Sequence, residues 1–530
     1  MPASISASSS ASSNPSSRRA GKARRRYQIQ KPNGELTPRV QAVGPERFGI
    51  IAIDVAKMRS RWLIADFYGN VLMPPATVQH DRGPLEAAIA KARAVIAEHR
   101  LGDVVVAIER TGEYHRPIQR AFRAAGFETR IVHPLTTKQF RLPADPGNKT
   151  DDTDLAAIVR ATTQGFGLLE PDWPELYAKI QMLRRHRRDL VDKTTLVENQ
   201  IRVTLHAALP GFEAAFTHLW QSRGPLAIAR VFSSAADILG AGPDGLRKVL
   251  KDAHVSPRDE TIARVLDWAR NAPQGHPLGD LQRRIFVALD DDRLEKTKQI
   301  AALEIELASL AVQTPYALLL AIPGINVVTV SDLAGEMGPI HFYADANRIT
   351  GRAGLVPSRY QSDRVDCSGP LVKRANRRLR AVLMQTANNL VRCNHTYAAR
   401  AEAWRRQGRD DRWIRVKVAK AFSRLLFVMV AGRHIFPHPA LQPRHYLMGK
   451  LLEFHTQHRS GPERMRADLL ALTEQLPSRV RAQETPPLQE SLDELNSRRA
   501  HGPRPLAEIL QVVLANLRMI QSTPRSEDPR

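Results

Sequence analysis

Two apolar runs that each end in a carboxylate constrain this chain more than anything else in it. Phe48–Asp54 and Asp103–Glu109 read as buried strands, the second through Val104-Val105-Val106-Ala107-Ile108. An acid at the end of a buried strand is costly to desolvate unless something compensates it. Asp151 and Asp154 add two more acids, inside Lys149-Thr150-Asp151-Asp152-Thr153-Asp154. On a helix, positions i and i+3 share a face, which leaves Asp152 pointing elsewhere. N-terminal capping is the plain reading of that pair, because a helix start favours acids.

The charge balance suggests the compensating partner. Lys and Arg number 78 against 54 Asp and Glu, for a net charge of +24 and a pI near 10.5, as in a polyanion binder. Divalent cations that hold a nucleic-acid phosphate meet both needs. Mg²⁺, with Mn²⁺ as substitute, takes hard oxygen ligands and keeps several waters, so a few carboxylates suffice. Two such ions about 3.5–4 Å apart stabilise the attacking and leaving oxygens of a phosphodiester. Asp54, Glu109, Asp151 and Asp154 are the candidate metal ligands, and Lys149 is placed to touch phosphate.

A length of 530 residues suggests about three to four domains. Residues 1–45 read as a disordered basic arm, Ser-rich and then carrying Arg18, Arg19, Lys22, Arg24, Arg25 and Arg26. Residues 46–170 read as α/β. Strands are expected at Phe48–Asp54, Arg61–Phe67 and Val71–Val78, a helix at Pro84–His99, and a strand at Asp103–Glu109. A helix at His115–Ala125, a strand at Phe127–Val132 and a helix at Asp151–Thr162 follow. A three-strand meander followed by alternating helix and strand is the order of the ribonuclease-H-like (RuvC-like) fold, which sets the ends of the first and fourth strands side by side.

Residues 171–313 read as a helical, coiled-coil linker. Leu176, Leu183, Leu190 and Val197 recur every seven, and Ile300, Leu303, Leu307 and Leu310 offer a partner helix. A mainly α-helical unit at 314–440 opens with Ile322-Pro323-Gly324-Ile325, a turn like that of a helix-hairpin-helix, whose amides contact phosphate. It continues through a basic run at 373–380 to a helix with Ile414, Val418, Ala421, Leu425 and Val428 on its buried stripe. Residues 441–530 read as a helical, partly disordered extension. Two cysteines, Cys367 and Cys393, fit a reducing cytoplasm, and no apolar stretch is long enough for a bilayer.

The motifs Ile53-Asp54-Val55-Ala56-Lys57, Ile108-Glu109-Arg110-Thr111-Gly112-Glu113-Tyr114-His115, Lys149–Asp154, Ile322–Ile325, Gly354-Leu355-Val356-Pro357 and Gln361-Ser362 resemble those of the DEDD-type insertion-sequence transposases, the IS-one-ten group of bridge-RNA-guided recombinases. The resemblance implies a bacterial, nucleoid-associated transposase whose four acids bind Mg²⁺ and whose Ser362 attacks DNA. It also implies a homo-oligomer, dimer or tetramer, and a structured non-coding guide RNA that pairs with donor and target DNA. Around the serine, Arg359, Arg364, Lys373, Arg374, Arg377, Arg378 and Arg380 are the expected nucleic-acid contacts, since Arg fits phosphate bidentately. Asp363 stands where the family usually has Gly, and Ala375 precedes Asn376 where the family has Gly. Two other functions remain open on the residues alone: a RuvC-like structure-specific nuclease using a metal-bound water, and a catalytically degenerate protein that binds nucleic acid.

Overall fold

The computed structural model describes residues 36–144, 147–216, 219–362, 365–373, 375–437 and 443–477. Asp363, Arg364, Arg374, the basic arm and everything from 478 onward lie outside the described residues. The chain divides into two compact units between Asp172 and Trp173.

The first unit is built on a mixed six-stranded sheet. A short helix α1 (Leu36–Val43) leads into strands β1 (Phe48–Val55), β2 (Arg59–Asp66) and β3 (Val71–Gln79). Then come helix α2 (Arg82–Glu98), strand β4 (Asp103–Glu109), helix α3 (Arg116–Ala124), strand β5 (Thr129–Val132), helices α4 (Pro134–Arg141) and α5 (Asp151–Thr163), and the two-residue strand β6 (Leu168–Leu169). The order across the sheet is β3-β2-β1-β4-β5-β6. β1 runs antiparallel to β2 and parallel to β4, and β4 runs parallel to β5.

Strand alternation sorts the core into two layers. Ile51, Ile53, Val106 and Ile108 pack with Ile118 and Phe122 of α3 and with Leu85 and Ala92 of α2. Phe48, Ile50, Ala52, Val105 and Ala107 pack with Leu155, Ile158 and Val159 of α5. The expectation that everything before residue 46 is a disordered arm is corrected by α1. Leu36 and Val40, one turn apart, are buried, and the Arg39 guanidinium grips both oxygens of Asp103 at 2.7 Å.

The second unit is helical. Its longest members, α6 (Glu175–Ala208) and α10 (Gly279–Ala311), pack along each other and bury Ile180, Leu190, Val197, Ile201 and Leu307. Between them α7 (Arg223–Val231), α8 (Ala235–Asp252) and α9 (Asp259–Asn271) close around Phe212, Phe216 and Phe286 as a separate small core. After α10 follow a 3₁₀ turn at Pro315–Ala321, α11 (Val327–Met337), α12 (Ala346–Arg352), the hairpin β7 (Pro357–Ser362) and β8 (Val365–Leu371), α13 (Arg377–Cys393), α14 (His395–Arg406) and α15 (Asp411–Gly432).

Two helices beyond residue 441, α16 (Pro443–Gln457) and α17 (Pro462–Gln475), are not an appendage. Leu447, Leu451, Leu452, Leu469 and Leu472 belong to the same core as Leu319, Leu383 and Phe422. The α15 stripe also shifts from its expected positions. Ile414 and Val418 are buried as expected, but the stripe continues through Phe422, Leu426 and Met429, and Val428 is 53% exposed. Both continuations satisfy a period of 3.6, and packing against α13 and the 3₁₀ turn selects this one. Among the described residues no single helix is long and apolar enough to cross a membrane.

Candidate functional site

Parity along the strands brings the first two acids together. Ile53 on β1 is the register partner of Ile108 on β4, so Asp54 and Glu109 are the next residues of adjacent parallel strands. Asp54 shares its face with Ile50 and Ala52, and Glu109 with Val105 and Ala107. Both therefore stand on the side covered by α5.

The start of α5 supplies the other two. Thr150 caps it: its Oγ1 accepts from the Thr153 amide at 3.1 Å, and Thr153 Oγ1 accepts from the Thr150 amide at 3.0 Å. That reciprocal cap fixes the first turn, with Asp154 buried and Asp151 exposed. The capping function thus falls to two threonines. Asp152 pairs with Arg61 at 2.6 Å, although Arg61 lies directly across the ladder from Asp54.

Electrostatics registers the convergence. Burial first, then Glu109, Asp154 and Asp151, push the Asp54 carboxyl up to about 7, and Lys149 only partly offsets them. Burial also raises Glu109, with Asp154 adding to it. The Thr137 hydroxyl partly counters that rise, while Glu109 Oε2 is buried with no hydrogen-bond partner. Arg141 at the end of α4 pairs with Asp154 through its Oδ1. Among the described residues no three acids, His or Cys stand ready-made around one ion position.

The donor set nevertheless fits a hard divalent cation. All four side chains are carboxylates, one buried oxygen lacks a partner, and the mutual repulsion of the acids is what a cation would relieve. Arg141 and the helix that carries it were missed by sequence reasoning. Pro134-Leu135-Thr136-Thr137-Lys138-Gln139-Phe140-Arg141 has no apolar stripe to announce a helix; only Pro134 at its first turn signals one.

The residues expected to meet nucleic acid lie in the second unit, apart from Lys149, and they divide. Ser362 is exposed at the tip of the β7–β8 hairpin, paired in register with Val365. Lys373, Arg377 and Arg378 are exposed. Arg359 is not free, because Asp366 across the hairpin holds its Nε at 2.9 Å. Arg380 is a structural residue: its Nε donates to the Ala353 carbonyl at 2.8 Å and its Nη2 to that of Val372. Sequence order alone could not show either pairing.

Ala375 does not strain the turn before α13. It is not among the residues at positive φ, and Asn376 caps the helix by accepting from the Leu379 amide at 3.0 Å. The turn at Ile322–Ile325 spends its carbonyls internally. Lys450 of α16 donates to Ile322 and Ile325 at 2.9 and 2.7 Å.

Fold and site define a class: an α/β domain with acids at the carboxyl ends of two central strands and at the amino-terminal turn of α5, followed by a helical domain that presents a serine on an exposed hairpin. Residues 51–210 match a transposase family model of the DEDD, IS110 type, and residues 316–402 match the model described as the transposase IS116/IS110/IS902 family. Both matches, in this order along the chain, are to models of IS110-type transposases. The first match contains all four acids and the second contains Ser362.

Two curated relatives agree. The chain is 24% identical over 253 residues to an insertion element IS116 protein of Streptomyces clavuligerus, covering 46% of this chain and 61% of the relative. It is 24% identical over 255 residues to the transposase for insertion sequence element IS1328 of Yersinia enterocolitica, covering 47% of this chain and 70% of the relative.

Proposed function

We propose that this chain cuts and rejoins DNA strands to move an insertion sequence, using a ribonuclease-H-like, RuvC-like carboxylate site together with Ser362. The reading rests on one observation: Asp54 and Glu109 end adjacent parallel strands on the face covered by α5, where Glu109, Asp154 and Asp151 add to burial in pushing Asp54 up to about 7. A half-buried acid whose proton is shifted by burial and by neighbouring acids marks a candidate functional site.

Asp54, Glu109, Asp151 and Asp154 are the residues to hold Mg²⁺, or Mn²⁺ in its place. Bound there, the ions supply positive charge to the oxygens that gain charge at phosphorus. The protein's own share is placement. The β1–β4 register sets Asp54 beside Glu109, the Thr150–Thr153 cap fixes the first turn of α5, and Arg141 orients Asp154. Ser362 Oγ attacks phosphorus, its proton leaves with base assistance, one P–O bond breaks, and a strand hydroxyl departs. A second strand hydroxyl then displaces the serine. Bond energy is conserved, so the exchange requires no nucleotide hydrolysis.

A homo-oligomer, donor and target DNA, and a structured non-coding RNA complete the reading. Lys373, Arg377 and Arg378 are the contacts beside the serine. Ser362→Ala is expected to abolish a denaturation-resistant protein–DNA adduct while leaving DNA binding intact. Asp54→Asn is expected to remove divalent-dependent strand cleavage. An adduct that survives in Ser362→Ala rejects the serine; hydrolysed ends without any adduct favour a nuclease that uses water.

A further inference from the structure

Helix α15 carries a charged surface that neither the acids nor the hairpin accounts for. Its buried side is Ile414, Val418, Phe422 and Leu426. Trp413, Lys417, Lys420 and Arg424 recur at intervals of four, three and four, which sets them together on the opposite face.

The Trp413 ring is gripped by two cations. The Arg409 guanidinium lies 5.2 Å from its centroid and the Lys417 ammonium 4.8 Å, with Trp404 edge-on at 5.6 Å. No acid among the described residues pairs with Lys417, Lys420 or Arg424. The nearest acids in sequence are used elsewhere, Asp410 in capping the helix through the Trp413 amide and Asp411 in pairing with Arg405. Burial, Lys417 and Arg424 together push the Lys420 ammonium down. These cations therefore repel one another, with no acid among the described residues paired to relieve them.

Such a row suits a polyanion with regularly spaced charge. Lys417 to Arg424 spans about 10 Å of helix axis, and each strand of B-DNA carries a phosphate about every 3.4 Å along its axis. The stripe offers Trp, Lys, Lys, Arg and then Val428 and Ala431. It has no side-chain acceptor for the hydrogen of a ribose 2′-hydroxyl, a group by which proteins tell RNA from DNA. It also lies beyond residue 402, where the second family match ends.

We propose that Arg409, Trp413, Lys417, Lys420 and Arg424 form a sequence-independent contact for the phosphate backbone of duplex DNA, additional to the contacts beside Ser362. This rests on the DNA reading above and adds where on the chain a duplex is held. The cations neutralise phosphates, and Trp413 keeps Arg409 and Lys417 extended by cation–π attraction.

The test uses the full chain and a short duplex of unrelated sequence, titrated by fluorescence anisotropy across a salt series. Lys417→Gln/Lys420→Gln/Arg424→Gln is expected to weaken binding at least tenfold at low salt. The slope of log affinity against log salt should become shallower by about 2.7, roughly 0.9 for each lost phosphate contact. The charge-keeping variant Lys417→Arg/Lys420→Arg/Arg424→Lys should keep the wild-type slope, which separates lost charge from lost fold. An unchanged slope in the Gln variant overturns the proposal, and so does a loss confined to single-stranded RNA of equal length. If the wild-type chain does not bind duplex DNA at all, the DNA reading itself falls as well.

Discussion

Arg184 of α6 and Glu336 of α11 form a buried ion pair, with side chains 3% and 0% exposed. The same carboxylate receives Arg185 at 3.1 Å and the Asn376 side chain at 3.2 Å, while Arg184 also reaches Asp332 at 3.0 Å. One acid thus ties the long helix, α11 and the cap of α13, the helix that follows the serine hairpin. Burial pushes Glu336 up, but Arg185, Arg184 and Asn376 outweigh it and hold the carboxyl below its usual value.

Removing one partner of a buried pair strands the other, at a cost of about 3–5 kcal/mol. Glu336→Gln is therefore expected to lower unfolding stability by that order. Arg184→Met with Glu336→Met should recover part of it, since the buried stranded charge goes too, while the more exposed Asp332 and Arg185 lose a partner. Denaturant unfolding of the full chain measures both. A single variant as stable as wild type would mean that the pair holds nothing together.

The Gly354 turn makes a steric prediction. Gly354 has φ +63°, and a Cβ there would lie 2.3 Å from Arg380 Nη2 and 2.4 Å from Ala375 Cβ. Arg380 is held by the carbonyls on either side of the hairpin, so it cannot move aside without breaking them. Gly354→Ala should cost about 1–3 kcal/mol and loosen the β7–β8 hairpin. Faster amide exchange at Tyr360 and Gln361 than at residues of α11 is the signature to look for.

The elements that carry the acids were legible because they are strongly patterned. β1 and β4 are unbroken apolar runs, and parity then fixes which face Asp54 and Glu109 take. α5 announces itself by its cap. What stayed hidden depends on partners far along the chain. Arg359 and Arg380 look like free cations until Asp366 and two carbonyls claim them, and α4 has no apolar period. The α15 stripe had two continuations of equal period, and only packing against α13 chose between them. Within the expected extension, the helices α16 and α17 belong to the core, because their leucines meet partners more than a hundred positions earlier.

Asp54 predicts how the site responds to pH and metal. Its folded carboxyl titrates near 7 against an ordinary 3.8. The folded state therefore holds the proton more tightly, and stability falls as pH rises between those values. Above pH 7, in chelator, Asp54→Asn should melt higher than wild type despite being inactive. Mg²⁺ should raise the wild-type melting temperature and release protons near neutral pH, with little effect on the variant. A variant that melts lower than wild type in chelator at pH 8 would refute the crowding of acids.

Lys450 carries the opposite titration. Its ammonium is lowered from 10.5 to about 8, by burial above all, with Glu453 and Cys393 only partly countering it. Below pH 8 both folded and unfolded chains hold the proton, and the buried charge is a standing cost. Between 8 and 10.5 the unfolded chain binds more protons, so this residue's contribution to stability rises with pH. The full span corresponds to about 3 kcal/mol. Lys450→Met removes the desolvated charge but leaves the Ile322 and Ile325 carbonyls without their donor. Near pH 7 these effects offset, and the variant should sit close to wild type. By pH 9.5 the wild type should be ahead, because its neutral amine still donates to both carbonyls without the buried charge. Parallel stability–pH curves for the two chains would show that the Lys450 proton is not shifted by its surroundings.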